Sequence, residues 1–222
     1  MDTFDNILGK LYQVRFNKDE LAVRNHLWEI FCQDFFQQFI GKDDVVLDVG
    51  AGYGEFINHI KCRQKFAVEL NEESRQFFDP DVKLFNSHAC DLNFLKDGSV
   101  DAVFMSNFSE HLLDKKEVVK TLLEALRVLK PKGRIILMGP NIRYVYKEYW
   151  DFFDHFIPLS HKALAELLQA IGFKIERAIP KFLPFTTKSR IPKNDFAVRM
   201  YLRFPFIWKI MGRQMLIVAS KI

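Results

Sequence analysis

Apolar positions change their spacing several times along the 222-residue chain, and each change marks an element. Leu21, Trp28, Phe31, Phe35 and Phe39 fall close to the spacing of one helix face, and Gly41 stands where such a helix would end. The next run is of another kind. Val45-Val46-Leu47-Asp48-Val49 is short, β-branched and nearly continuous, the pattern of a strand buried on both faces. Further strand candidates recur at Phe66–Leu70, Val82–Phe85, Val100–Met105 and Arg134–Met138, with helical stretches between them. One of these carries Val118, Leu122, Ala125, Leu126 and Leu129 as a single stripe, ended by Pro131 and Gly133. The alternation predicts an α/β fold, a parallel sheet with helices on both faces.

Beyond the fifth strand the pattern breaks into an aromatic stretch, Tyr144 to Phe156. Ser160 then reads as the cap of a helix with Leu164, Leu167, Leu168 and Ile171 on one face and Gly172 past its end. Two more strands follow, Phe173–Ile179 and Gln214–Ala219. About thirty residues separate them, with Pro184, Pro192 and Pro205 among them, and so long a connection is expected to hold secondary structure or a function of its own. The organisation expected is a helical lid or flank over 1–42 and one domain over 43–222, with a long insertion at about 181–213.

Composition agrees with a single folded core: 49% of residues are hydrophobic and 27% charged. No window approaches the roughly 18 apolar residues of a membrane span, and the acidic start Met1-Asp2-Thr3-Phe4-Asp5 is unlike a secretory leader, so the expected location is cytoplasmic. Cys32, Cys62 and Cys90 are widely spaced and unpaired in pattern, which predicts thiols rather than disulfides or a zinc site. Charge is lopsided. Residues 173–222 hold eleven Lys and Arg against Glu176 and Asp195, so the end of the chain is basic within a net charge of only +4. Such a face suits a phosphorylated intermediate, a membrane surface or nucleic acid, or simply water.

The chemistry begins at Asp48-Val49-Gly50-Ala51-Gly52-Tyr53-Gly54, where the first strand runs into glycines. Glycines there let the backbone turn tightly and let a ligand approach it closely. A nicotinamide dinucleotide would use the same loop. Glu69, about 20 residues on, would accept hydrogen bonds from ribose hydroxyls in either case. Asp91, past the third strand where an adenine amino group would sit, and the late pair of strands are not expected of a dinucleotide fold.

With these residues the chain resembles the class I S-adenosylmethionine-dependent methyltransferases over about 43–222. The matching strings are VLDVGAGYGEF at 46–56, AVEL at 67–70, HACDL at 88–92, DAVFMSNFSEHL at 101–112 and LRVLKPKGRIIL at 126–137. The resemblance implies a Rossmann-like seven-stranded mixed sheet of order 3-2-1-4-5-7-6 with the last strand antiparallel. It also implies S-adenosylmethionine as cofactor and S-adenosylhomocysteine as product. Asp48 with Gly50, Ala51 and Gly52 would hold the methionine end, Glu69 the ribose, Leu70 and Leu92 the two faces of the adenine, and Asp91 its amino group. Asn107 would border the site of methyl transfer.

The second half is similar to methyltransferases of polysaccharide and glycolipid biosynthesis, through Pro140–Tyr144, Tyr149–His155 and Lys181–Lys188. That likeness implies O-methylation of a sugar-containing or phosphorylated intermediate, with a small-molecule or lipid-linked glycan as acceptor. A hydroxyl acceptor needs a base. His155 is the first candidate, oriented by Asp151 or Asp154, and His111 beside Glu110 is the second. Asp151, Asp154 and His155 do not make a complete ligand set, so no metal is expected. The aromatics from Tyr144 to Phe156 could carry a sugar ring or cover the sheet, and Phe204–Trp208 among Arg199, Arg203, Lys209 and Arg213 could meet lipid headgroups or pack. Other small-molecule N- or O-methylation, or a non-catalytic cofactor-binding module, are the alternatives, and self-association is left open. Nucleic acid is not expected as substrate, since Ser106-Asn107-Phe108-Ser109 replaces the Asn/Asp-Pro-Pro-Tyr type of motif.

Overall fold

A computed structural model describes Leu11, residues 18–185 and residues 194–222 of the chain. Seven strands form one sheet: β1 (Val45–Val49), β2 (Gln64–Val68), β3 (Val82–Phe85), β4 (Val100–Ser106), β5 (Leu129–Pro140), β6 (Phe173–Ile179) and β7 (Gln214–Lys221). Their order is β3-β2-β1-β4-β5-β7-β6, parallel except where β7 runs against both β5 and β6. The expected sheet is the one observed.

Alternation along the central strands sorts side chains to two cores. Val45, Leu47 and Val49 of β1 join Val103 and Met105 of β4 on one face, under α3 (Lys115–Val128) and α5 (His161–Ala170). Val46 of β1 joins Ala102 and Phe104 of β4 on the other, under α1 (Lys18–Asp34), α2 (Glu55–His59), α6 (Asp195–Arg203) and α7 (Pro205–Met211). This second core is aromatic: Phe56 stacks on Phe104 at 3.6 Å between ring centroids, and Phe35, Phe36, Phe182 and Trp208 pack edge to face around them.

Helix ends follow the local chemistry. Asp114 caps α3 by accepting from the Glu117 N–H, and Ser160 caps α5 by accepting from Ala163. The stripe that promised a helix up to Pro131 stops at Val128, because Leu129 already pairs with Val100 as the start of β5. The chain then turns through Lys132, at φ 65, before pairing resumes at Arg134. The helix before β1 packs on the body of the fold. Arg24 pairs with Glu55 at 2.9 Å, His59 meets Asn25 at 3.0 Å and the Cys32 thiol lies 3.6 Å from the Phe56 carbonyl, so α1 lies across the start of the glycine loop's helix. The connection before β7 carries α6 and α7. His26 meets Asp195 at 2.8 Å and Asp34 pairs with Arg199, tying that insertion to α1. Thr186, Thr187 and Lys188 of the glycan-like string, and Pro192, lie outside the described residues.

Candidate functional site

The glycine loop sits at the carboxyl end of β1, pinned to β2 by the Gly50 and Ala51 N–H groups, which both donate to the Val68 carbonyl at 2.9 and 3.1 Å. Gly50, Gly52 and Gly54 all have positive φ, 68°, 55° and 75°. At Gly50 glycine is doubly required, since a Cβ there would lie 2.1 Å from Cδ2 of Phe108. Glu69, just past β2, closes the cradle. Its carboxylate accepts from the Gly52, Leu70 and Asn71 N–H groups at 2.8, 2.9 and 2.9 Å. Burial raises the Glu69 pKa above the ordinary carboxylate value, and those three N–H groups partly restore the charged form.

Asp48 is the buried charge of the loop, 3% exposed, and no group among the described residues donates a hydrogen bond to its carboxylate. Burial, with the Glu55 and Glu69 carboxylates nearby, pushes its pKa well above the usual range. A group disfavoured in this way as an ion stabilises the fold at acid pH and loses that contribution as pH rises through its folded pKa. Asp48→Asn is therefore expected to raise the melting temperature at neutral pH by about 2–4 °C, the shift that ~1 kcal/mol gives a domain of this size, and to weaken cofactor binding. Melting curves at pH 4 and 8 check this; an equal gain at both would remove the ionised carboxylate as its cause.

The second part of the site is built from the turns after β4 and β5. Asn107, at φ 48, leaves β4 with its N–H on the Met138 carbonyl at 2.8 Å and its side chain on Ser106, and sends Phe108 over Gly50. A short helical turn, Ser109–His111, then presents Glu110 and His111. After β5, α4 (Ile142–Val145) and a turn at Glu148–Asp151 lead to Asp154 and His155. The Phe156 and Ile157 N–H groups both donate to the Glu110 carbonyl, at 2.7 and 3.3 Å, so the two segments are held in register.

Asp154 meets His111: its carbonyl and carboxylate lie 2.8 and 3.2 Å from His111 Nδ1. Burial alone would lower the His111 pKa, but the hydrogen bond to Asp154 and the charges of Glu110 and Asp154 outweigh it and hold the imidazole above its ordinary value. His155 is buried instead. Its Nδ1 lies 3.0 Å from the Tyr149 carbonyl, its ring stacks on Phe152 and the His111 ring is 5.2 Å away. Asp154 thus meets His111, the partly exposed member of the pair, while Asp151 is exposed.

Residues 47–137 match the methyltransferase domain family. Over that stretch the chain resembles methyltransferase domains. It is 31% identical over 135 residues to an uncharacterized protein of Methanocaldococcus jannaschii, covering 60% of this chain and 56% of that one. It is 28% identical over 162 residues to a Mycolicibacterium smegmatis protein named "Probable S-adenosylmethionine-dependent methyltransferase", covering 69% and 60%. The matched stretches thus span somewhat over half the length of these curated relatives. The crystal structure of an S-adenosylmethionine-dependent methyltransferase from Archaeoglobus fulgidus has the same fold, with a TM-score of 0.67 at 22% identity over 89% of this chain and 94% of that one.

The fold brings Asp48, Gly50, Ala51, Gly52, Glu69 and Leu70 together at one sheet edge. These residues fit the cofactor: an unpartnered buried carboxylate stands beside a positive-φ cradle, with a second carboxylate on the cradle's own N–H groups. Leu70 is 37% exposed and has a face to offer an adenine. Leu92 does not. It is fully buried in the core, its N–H on the Glu124 carboxylate at 3.0 Å, which removes it from the adenine pair. Asp91 is exposed at the start of the same loop, its carboxylate 3.4 Å from the Asn93 N–H. Phe108 over Gly50 and the buried carboxylate of Glu110 are further features of the site. The signal for both was the string Asn107-Phe108-Ser109-Glu110-His111 at the carboxyl end of a central strand, where α/β sheets place ligands.

Proposed function

We propose that the protein transfers the methyl group of S-adenosylmethionine to a hydroxyl oxygen of a small-molecule acceptor carrying a sugar or phosphate group, an intermediate of surface-glycan biosynthesis. The cofactor supplies an electrophilic methyl on a sulfonium; the chain's own residues must orient the acceptor and take up or release its proton. The observation that carries the reading is the meeting of two clusters. The glycine loop with Glu69 faces the turn that bears Phe108, Glu110 and His111, and His111 is near enough for its charge to act on Glu69. Asp48, the loop and Glu69 would hold the cofactor, and Asn107 would border the transferred methyl. The histidines and Asp154 would receive the hydroxyl.

Exposed rings beside that cluster support a sugar. Tyr146, Trp150 and Phe153 are 60%, 59% and 67% exposed, whereas Tyr149 is fully buried with its hydroxyl on the Ile157 carbonyl at 2.6 Å. The aromatic stretch therefore divides: Tyr149 packs, and the other three are available to a ring face. A lipid-linked acceptor is supported by Phe196, Phe206 and Ile210, all exposed, with Arg203 and Lys209 on the same two helices. Among the described residues no helix is long and apolar enough to cross a membrane.

Incubation with methyl-labelled cofactor and a panel of nucleotide sugars and glycolipids tests the reading. Label is expected on an acceptor oxygen, and His111→Ala is expected to lower kcat by about 10²–10⁴ with the cofactor's Kd little changed. Label on nitrogen would move the acceptor to the alternative class, and transfer unaffected by His111→Ala would remove this cluster from the chemistry.

A further inference from the structure

Glu110, His111 and His155 each offer one metal-ligating atom, and the three atoms lie within 4.8 Å of one another. Two come from the turn after β4 and one from the segment after β5, locked together through the Glu110 carbonyl. In both imidazoles Nδ1 faces a backbone carbonyl, that of Asp154 for His111 at 2.8 Å and that of Tyr149 for His155 at 3.0 Å. A carbonyl only accepts, so in the neutral rings Nδ1 carries the proton and Nε2 the lone pair. Metal-binding histidines are held in this way, with the second ring nitrogen donating to a carbonyl or carboxylate that fixes tautomer and orientation. Asp154 adds its carboxylate at 3.2 Å from the His111 ring.

We propose that Glu110, His111 and His155 bind a divalent transition-metal cation through one carboxylate oxygen and two Nε2 atoms. Two imidazoles and one carboxylate suit Zn²⁺ or Mn²⁺ and not Mg²⁺ or Ca²⁺, which take oxygen ligands. Three protein ligands leave a position open. Glu110 and His155 are buried and His111 is partly exposed, so the cluster meets solvent on the His111 side. The consequence for catalysis rests on the methyltransferase reading above. With a metal bound, the histidines would act through it and not as bases: a hydroxyl oxygen in the open position would lose its proton to water more readily, and the oxygen would then bond the methyl carbon as the S–CH₃ bond breaks and the sulfonium becomes a thioether.

The whole chain, freed of metal by chelator and dialysed, is titrated with Zn²⁺ by calorimetry and with Co²⁺ by absorption spectroscopy. One equivalent of each is expected, with a Co²⁺ spectrum of nitrogen and oxygen ligation that lacks a thiolate charge-transfer band and so excludes Cys32, Cys62 and Cys90. Glu110→Gln and His155→Ala are each expected to lower Zn²⁺ affinity at least tenfold, and Mg²⁺ to give no saturable heat. S-adenosylhomocysteine binding by the same samples shows that each variant is folded. Metal-free protein that binds S-adenosylhomocysteine but takes up no Zn²⁺ overturns the site, as do a thiolate band or uptake that survives both substitutions. Failure to bind S-adenosylhomocysteine counts instead against the methyltransferase reading.

Discussion

Gly50→Ala is expected to lower the melting temperature by roughly 6–12 °C and to abolish cofactor binding. Two costs add. An L-residue at φ 68 loses about 1–2 kcal/mol, and its Cβ, 2.1 Å from the Phe108 ring, forces that ring out of the first core at a further ~1–3 kcal/mol. Near 3 kcal/mol in total gives the stated shift for a domain of this size. The costs are separable. Phe108→Ala on the Gly50→Ala background removes the collision and leaves the dihedral strain, so the Cβ term should be non-additive between the two sites. Strict additivity would mean that Phe108 does not lie over the glycine.

Glu69→Ala has the second large effect, on binding. The carboxylate holds the Gly52, Leu70 and Asn71 N–H groups, and in the liganded protein it would accept from the ribose hydroxyls. Losing two charge-assisted hydrogen bonds at roughly 1.5–2 kcal/mol each, together with the ordered loop, is expected to weaken S-adenosylhomocysteine by about 10²–10³-fold. Calorimetry reads this directly. Glu69→Asp keeps the charge but shortens the reach, and it is expected to fall between wild type and alanine; an alanine variant binding within threefold of wild type would remove Glu69 from the cofactor site.

The sheet was legible because its signals are local. Buried parallel strands read as short apolar runs, β1 and β3 stand where the pattern put them, and the motif strings carried the strand order. The tight turn after β1 was legible for the same reason, since closely spaced glycines signal the positive φ that Gly50, Gly52 and Gly54 all adopt. What the sequence could not show were pairings set by tertiary contact. Asp154 is next to His155 in the chain yet meets His111 across 43 positions, because two turns are stitched together at the Glu110 carbonyl. Leu92 follows Asp91 in a motif but turns into the core, where Glu124 holds its backbone. The aromatic stretch divides by burial, which periodicity alone does not reveal in so short a segment. The insertion's helices were foreshadowed only by its length.

On the proposed function, the glycine loop and Glu69 hold S-adenosylmethionine and not a nicotinamide dinucleotide. Calorimetric titration of the wild-type chain with S-adenosylhomocysteine, and separately with NAD and NADH, tests it most directly. One site for S-adenosylhomocysteine, lost in Glu69→Ala, and no saturable heat from either nicotinamide are expected; a nicotinamide bound in its place, or no binding of S-adenosylhomocysteine by the folded wild-type protein, would contradict this assignment of the loop.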